Sequence, residues 1–141
     1  MQARGYIHRD IKPTNILKVI DSKGICYKLC DFGFAVKVSE ISDIMIAGTY
    51  HYASPKIISK FENPKVKIKG NTFKDDVFSL GVTFLDMLNL QHNEKVEVAL
   101  DLAKGRYKSS LISFIERMLE KDEFLRPDFV EIYQKLDLLN S

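Results

Sequence analysis

The feature that most constrains this chain is the apolar run over residues 77–90. Val77, Phe78, Leu80, Val82, Phe84, Leu85, Met87, Leu88 and Leu90 cover nearly the whole circumference of a helix. Ser79, Gly81, Thr83 and Asp86 interrupt it, and it is shorter than the ~20 apolar residues of a membrane span. A helix that is apolar on every side belongs at the centre of a core. The other elements must supply its partners.

Three amphipathic helices are predicted after it. Val96, Ala99, Leu100 and Ala103 recur at helical spacing and are closed by Gly105. Leu111, Ile112, Ile115, Met118 and Leu119 repeat that spacing behind Ser109 and Ser110, which read as caps. Residues 129–138 carry Ile132, Tyr133 and Leu136, with Asp128 and Glu131 spaced as a capping box.

The first third of the chain reads differently. Residues 16–20 and 25–30 are rich in β-branched and apolar side chains and flank the turn-forming Asp21-Ser22-Lys23-Gly24. They predict a hairpin with Asn15 at one end and Asp31 at the other, which brings those two groups together. Cys26 and Cys30 fall on one face of the second strand and read as small core residues. The alternative is a reactive thiol at Cys30, beside Asp31. Residues 34–53 have no sustained periodicity and are expected to form a long loop with hydroxyls at Ser39, Ser42, Thr49 and Tyr50. Residues 56–74 are lysine-rich and read as an exposed, solvated connection, or alternatively as a docking site for an acidic partner.

Composition sets the outer bounds. With 141 residues, 45% of them hydrophobic and 28% charged, the chain has enough material for one domain with a core. A net charge of +2 is too small to argue for nucleic acid or an anionic membrane. Two cysteines with no signal peptide lead to the expectation of an intracellular, cytoplasmic protein with free thiols.

The chemistry is concentrated in His8-Arg9-Asp10-Ile11-Lys12-Pro13-Thr14-Asn15 and Asp31-Phe32-Gly33. Asp10 and Asn15 are separated by a proline, which argues for a loop. These stretches resemble the catalytic loop and metal-binding triplet of the eukaryotic protein kinases. The resemblance implies that Asp10 accepts or orients the proton of a substrate hydroxyl and that Lys12 reaches toward the transferring phosphate of ATP. Asn15 and Asp31 are implied as holders of Mg2+, a hard cation served by oxygen ligands. Lys12 resembles the serine/threonine type. Gly48-Thr49-Tyr50-His51-Tyr52-Ala53 is similar to the segment that seats a protein substrate, with Thr49 as its positioning residue. Arg9 resembles an arginine that pairs a regulatory phosphate, for which Ser39, Ser42 and Thr49 are candidate acceptors. His8, Phe32 and Gly33 are implied to be structural.

The resemblance continues through Asp76-Val77-Phe78-Ser79-Leu80-Gly81, whose aspartate is implied to hold the catalytic-loop backbone, and through Leu125-Arg126-Pro127. It covers residues 1–141 as a partial kinase domain. The implied fold is protein kinase-like α+β, a mainly α-helical C-lobe with a short β-hairpin next to the catalytic loop and the N-lobe absent. No glycine-rich phosphate loop or nucleotide-binding strand lysine is found in it. Turnover by this chain alone is therefore not expected, and an inert C-lobe that binds a protein over its exposed N-lobe-facing surface is the alternative. That surface is expected to include the hairpin and the lead-in to Ile7.

One further departure concerns charge. Where the family has Ala-Pro-Glu, this chain has Ser54-Pro55-Lys56, so the glutamate that pairs the arginine corresponding to Arg126 is a lysine. Lys56 is expected to confront Arg126 with a like charge, and Lys56→Glu to stabilise the domain if Arg126 lacks a partner.

Overall fold

A computed structural model describes residues 1–41, 46–67, 73–88 and 95–139. The chain begins with a 3-10 turn, Gln2–Arg4, and a short strand β1, Tyr6–Ile7. A second 3-10 turn, Pro13–Asn15, leads into β2, Ile16–Asp21, and β3, Gly24–Leu29. Then come β4, Val36–Lys37, and five helices: α1 Pro55–Glu62, α2 Phe73–Met87, α3 Val96–Lys104, α4 Ser109–Met118 and α5 Phe129–Leu139. Two-stranded antiparallel sheets form between β1 and β4 and between β2 and β3.

The central helix is where the apolar run places it, and it starts earlier. α2 packs against α3, α4, α5, β1 and the turn at Tyr50–Tyr52. Phe78, Val82 and Leu85 form one core with Ala99, Ala103, Ile112, Ile115 and Leu119. Val77, Met118 and Ile132 form a second. Each fully buried aliphatic side chain contributes about 1.5–3 kcal/mol. Gly81 lets α4 approach, since a Cβ there would meet Leu119 at 3.0 Å and Met118 at 3.1 Å. The interrupting hydroxyls are absorbed within the helix: Ser79 Oγ donates to the Asp75 carbonyl at 3.1 Å and Thr83 Oγ1 to the Ser79 carbonyl at 2.8 Å. Residues 89 and 90 of the predicted run lie outside the described residues.

The later helices match their predicted spans, with differences at their ends. Asp128 and Glu131 do form a capping box, with the Asp128 N–H donating to Glu131 at 2.8 Å and the Glu131 N–H to Asp128 at 2.9 Å. Ser109 and Ser110 do not cap α4, because Lys108 occupies the N-cap and both serines lie inside the helix. Gly105 closes α3 at φ −85°, a conformation open to any residue.

Four expectations for the loops are corrected. The stretch 34–53 contains β4, and two-residue strands carry no periodicity of their own. Residues 55–62 are helical, started by Pro55 at the first position and by Ser54, whose Oγ accepts from the Ile57 N–H at 3.4 Å. Lys60 there is buried, its ammonium donating to the Val66 carbonyl at 2.6 Å. The hairpin forms around the predicted turn cluster, but Cys26 and Cys30 are half-buried free thiols rather than core residues. The hairpin is exposed as expected, with Ile20 and Tyr27 72% and 61% accessible, while Ile7 of the lead-in is fully buried.

Candidate active site

Residues 8–15 form a loop pinned from below. The first turn of α2 presents Asp76, whose carboxylate accepts from the His8 N–H at 2.6 Å and the Arg9 N–H at 2.8 Å. His8 is fully buried; its Nε2 lies 3.0 Å from the Cys30 carbonyl and its Nδ1 accepts from the Asp10 N–H at 3.3 Å. Both contacts fit the tautomer with hydrogen on Nε2. Burial pushes the Asp76 carboxyl up to about 7 despite its two backbone donors.

On that platform stands a closed polar triangle. Thr49 Oγ1 donates to Asp10 Oδ1 at 2.7 Å and accepts from Lys12 Nζ at 2.8 Å, while Lys12 Nζ lies 2.9 Å from Asp10 Oδ2. Asn15 Nδ2 donates to the Asp10 carbonyl at 2.8 Å and to Asp10 Oδ2 at 3.0 Å. Burial works to raise the Asp10 carboxyl. The hydrogen bonds from Thr49, Lys12 and Asn15 and the Lys12 charge outweigh it, leaving Asp10 below the ordinary aspartate value.

The approach of Thr49 depends on Gly48. At φ +91°, a Cβ on residue 48 would lie 2.0 Å from the Arg9 carbonyl oxygen, so only glycine fits. Sequence reading noted Gly48 only as part of a motif; its chemical reason is this backbone contact.

The hairpin closes the backbone beside both residues: the Cys30 N–H donates to the Asn15 carbonyl at 2.9 Å, and Asp31 follows directly. Asp31 is exposed at φ 59°, with Oδ1 accepting from the Gly33 N–H at 3.2 Å. The Asn15 amide nitrogen is turned to Asp10, which leaves its carbonyl oxygen and the Asp31 carboxylate as oxygen donors suited to a hard cation. Among the described residues, no group of three or more His, Cys, Asp or Glu could hold a metal ion. Phe32 packs edge-on to His8 at 5.2 Å yet remains 53% accessible, so it is a half-exposed packing residue. Arg9, at φ 67°, donates to the Phe34 carbonyl at 2.7 Å. Of the candidate phosphate acceptors, Ser42 lies outside the described residues.

The expected clash between Lys56 and Arg126 is absent. Arg126 is buried and donates to the carbonyls of Glu120, Lys74 and Lys121 at 2.7, 2.9 and 3.2 Å, with its guanidinium over Phe78. Lys56 turns to Asp75 Oδ2 at 3.1 Å and to Glu123. Asp75 and Glu123 were not singled out from the sequence; the acidic doublet at the start of the apolar run was the available signal.

The sequence matches the protein kinase domain over residues 1–136. The chain belongs to the protein kinase domain family. Among curated kinases, Serine/threonine-protein kinase CST20 of Candida albicans, in strains WO-1 and SC5314, is 38% identical over 91 residues. Those residues are 62% of this chain and 6% of the length of each relative. The mixed helices and small antiparallel sheets are those of a kinase-domain protein.

Proposed function

We propose that these residues form the C-terminal lobe of a serine/threonine protein kinase, which transfers the ATP γ-phosphate to protein Ser/Thr hydroxyls. The observation that carries this reading is the Asp10–Lys12–Thr49 triangle. A substrate hydroxyl entering between Thr49 and Asp10 replaces one oxygen with another of the same hydrogen-bonding capacity. Asp10, held ionised, accepts or orients its proton. Lys12, released from Thr49, is placed to meet the charge developing on the phosphoryl group. Asn15 and Asp31 are the residues to hold Mg2+, which supplies charge neutralisation on the phosphates when bound. Two free thiols support an intracellular setting.

The test is transfer from radiolabelled ATP to a generic protein substrate. The 141 residues contain no glycine-rich phosphate loop, so the chain alone is expected to give no measurable turnover. Incorporation abolished by Asp31→Ala would overturn that expectation. In a longer active form, Asp10→Asn is expected to lower kcat by about 10³-fold with the fold intact. Retained activity removes Asp10 from its role.

A second reading, a catalytically inert C-lobe that binds a protein, is favoured by one observation. Ile20, Ile25 and Tyr27, which share one face of the hairpin, are all more than half accessible. Under that reading the chain self-associates or captures a partner through this surface. Sedimentation is expected to show association that Tyr27→Asp weakens. A monomer at all concentrations, with no effect of Tyr27→Asp, argues against it.

A further inference from the structure

We propose that Lys56 is a positioning residue of the candidate active site, fixing Thr49 over Asp10 by clamping the segment that carries it to Asp75 and Glu123. The inference rests on the reading of Asp10, Lys12 and Thr49 given above.

The clamp has two attachment points on one carboxylate. Ser54 Oγ donates to Asp75 Oδ1 at 2.6 Å, and Lys56 Nζ lies 3.1 Å from Asp75 Oδ2. The same ammonium meets Glu123, so residues 54–56 are tied at once to α2 and to the connection before α5. Arg126 is the other nearby cation, but its Nη1 stands 3.7 Å from Asp75 Oδ1 while its N–H groups serve three carbonyls. Lys56 and Arg126 thus share one cluster with Asp75 and Glu123, and Glu120 and Asp122 also act on Arg126; Lys56 is the closer cation to Asp75.

Only one short turn separates this clamp from Thr49. The Tyr52 N–H donates to the Thr49 carbonyl and the Ala53 N–H to the Tyr50 carbonyl, both at 3.0 Å. A 3-10 turn of this length passes a displacement at residue 54 to residue 49 with little slack. A tight cavity of about 40 Å³ lies between the clamp and the site, lined by Asp10, Thr49, Ser54, Asp75, Asp76 and Ser79 among others. Tyr52 offers a competing tether, since its hydroxyl donates to Asp86 at 2.5 Å. The experiment has to separate the two.

Amide hydrogen exchange on the full chain does so without requiring turnover. In Lys56→Met, the Tyr52 and Ala53 amides are expected to exchange about tenfold faster than any slowing or speeding shared with the Ile112 and Ile115 amides accounts for. Lys56→Arg keeps their protection. Lys56→Glu loses it, and adding Glu123→Lys, which restores opposite charges across that contact but leaves the new carboxylate against Asp75, recovers it in part. Uniform acceleration throughout the chain, no local change, or no recovery in the double variant each overturns the proposal. If Lys56→Met does not fold, Glu123→Gln is measured instead, with a smaller local acceleration expected and none overturning it. Local exchange that behaves as stated, in an active-length protein without Asp10-dependent transfer, retains the placement of Thr49 by Lys56 and discards the reaction.

Discussion

Asp75 and Asp76 are consecutive, both buried in the first turn of α2, and they hold their loops by different means. Asp76 takes two backbone N–H groups, from His8 and Arg9. Asp75 takes a hydroxyl from Ser54 and an ammonium from Lys56, with Arg126 nearby. Main-chain donors are present whatever side chains the loop carries, so the Asp76 anchor depends on one residue. The Asp75 anchor depends on several, and its charges can be redistributed. This explains how a lysine stands where the family's pattern has a glutamate without producing the expected repulsion.

Asp76→Ala breaks the comparison most severely. It leaves a buried N–H, that of His8, and a half-buried one, that of Arg9, without an acceptor and is expected to cost about 4 kcal/mol in urea denaturation. A loss under about 1 kcal/mol would show that Asp76 is no anchor. Lys56→Glu attacks the other arm. It places a carboxylate against Asp75 and Glu123 and is expected to destabilise by about 3 kcal/mol; the stabilisation expected for an Arg126 without a partner does not apply, since Arg126 serves three carbonyls. Stabilisation would mean that Arg126 turns from its carbonyls to meet the new glutamate.

A smaller effect sharpens the contrast through pH. Burial raises both carboxyls, Asp76 to about 7, against Lys56, Ser54 and Arg126 at Asp75 and the backbone donors at Asp76. A raised carboxyl binds its proton more readily in the folded state. Its contribution is full below the unfolded value near ~4 and is lost as pH rises through the folded one. The stability advantage of the native protein over Asp76→Asn is therefore expected to shrink as pH rises from about 4 to about 7. An advantage that grows over that range would reverse the assignment.

What was legible in the sequence was what local pattern encodes. The apolar run gave α2, the turn cluster gave the β2–β3 hairpin, and Asp128 with Glu131 gave the start of α5. Asp10, Lys12 and Asn15 were legible as candidates because they lie in one dense motif; Thr49 sits in a separate stretch, and its closure of the triangle left no local trace. The pairing of β1 with β4 was not legible either, since two-residue strands far apart in sequence leave no periodic trace. Nor were the burial of Lys60 and the ion pairing of the half-buried Lys56, because a lysine reads as solvated until tertiary structure supplies a carbonyl or a carboxylate. The thiols were misplaced for a related reason. Alternation along a strand shows which residues share a face, but not whether anything covers it.

Gly48 carries a consequence of another kind. The absent side chain there acts as a gauge for the gap between two stretches of main chain, since its first carbon would overlap the Arg9 oxygen. Every polar atom of Asp10, Lys12 and Thr49 can be left untouched while that gap is wedged open by one methyl group. The site can thus be taken apart by geometry alone, with its chemistry still complete.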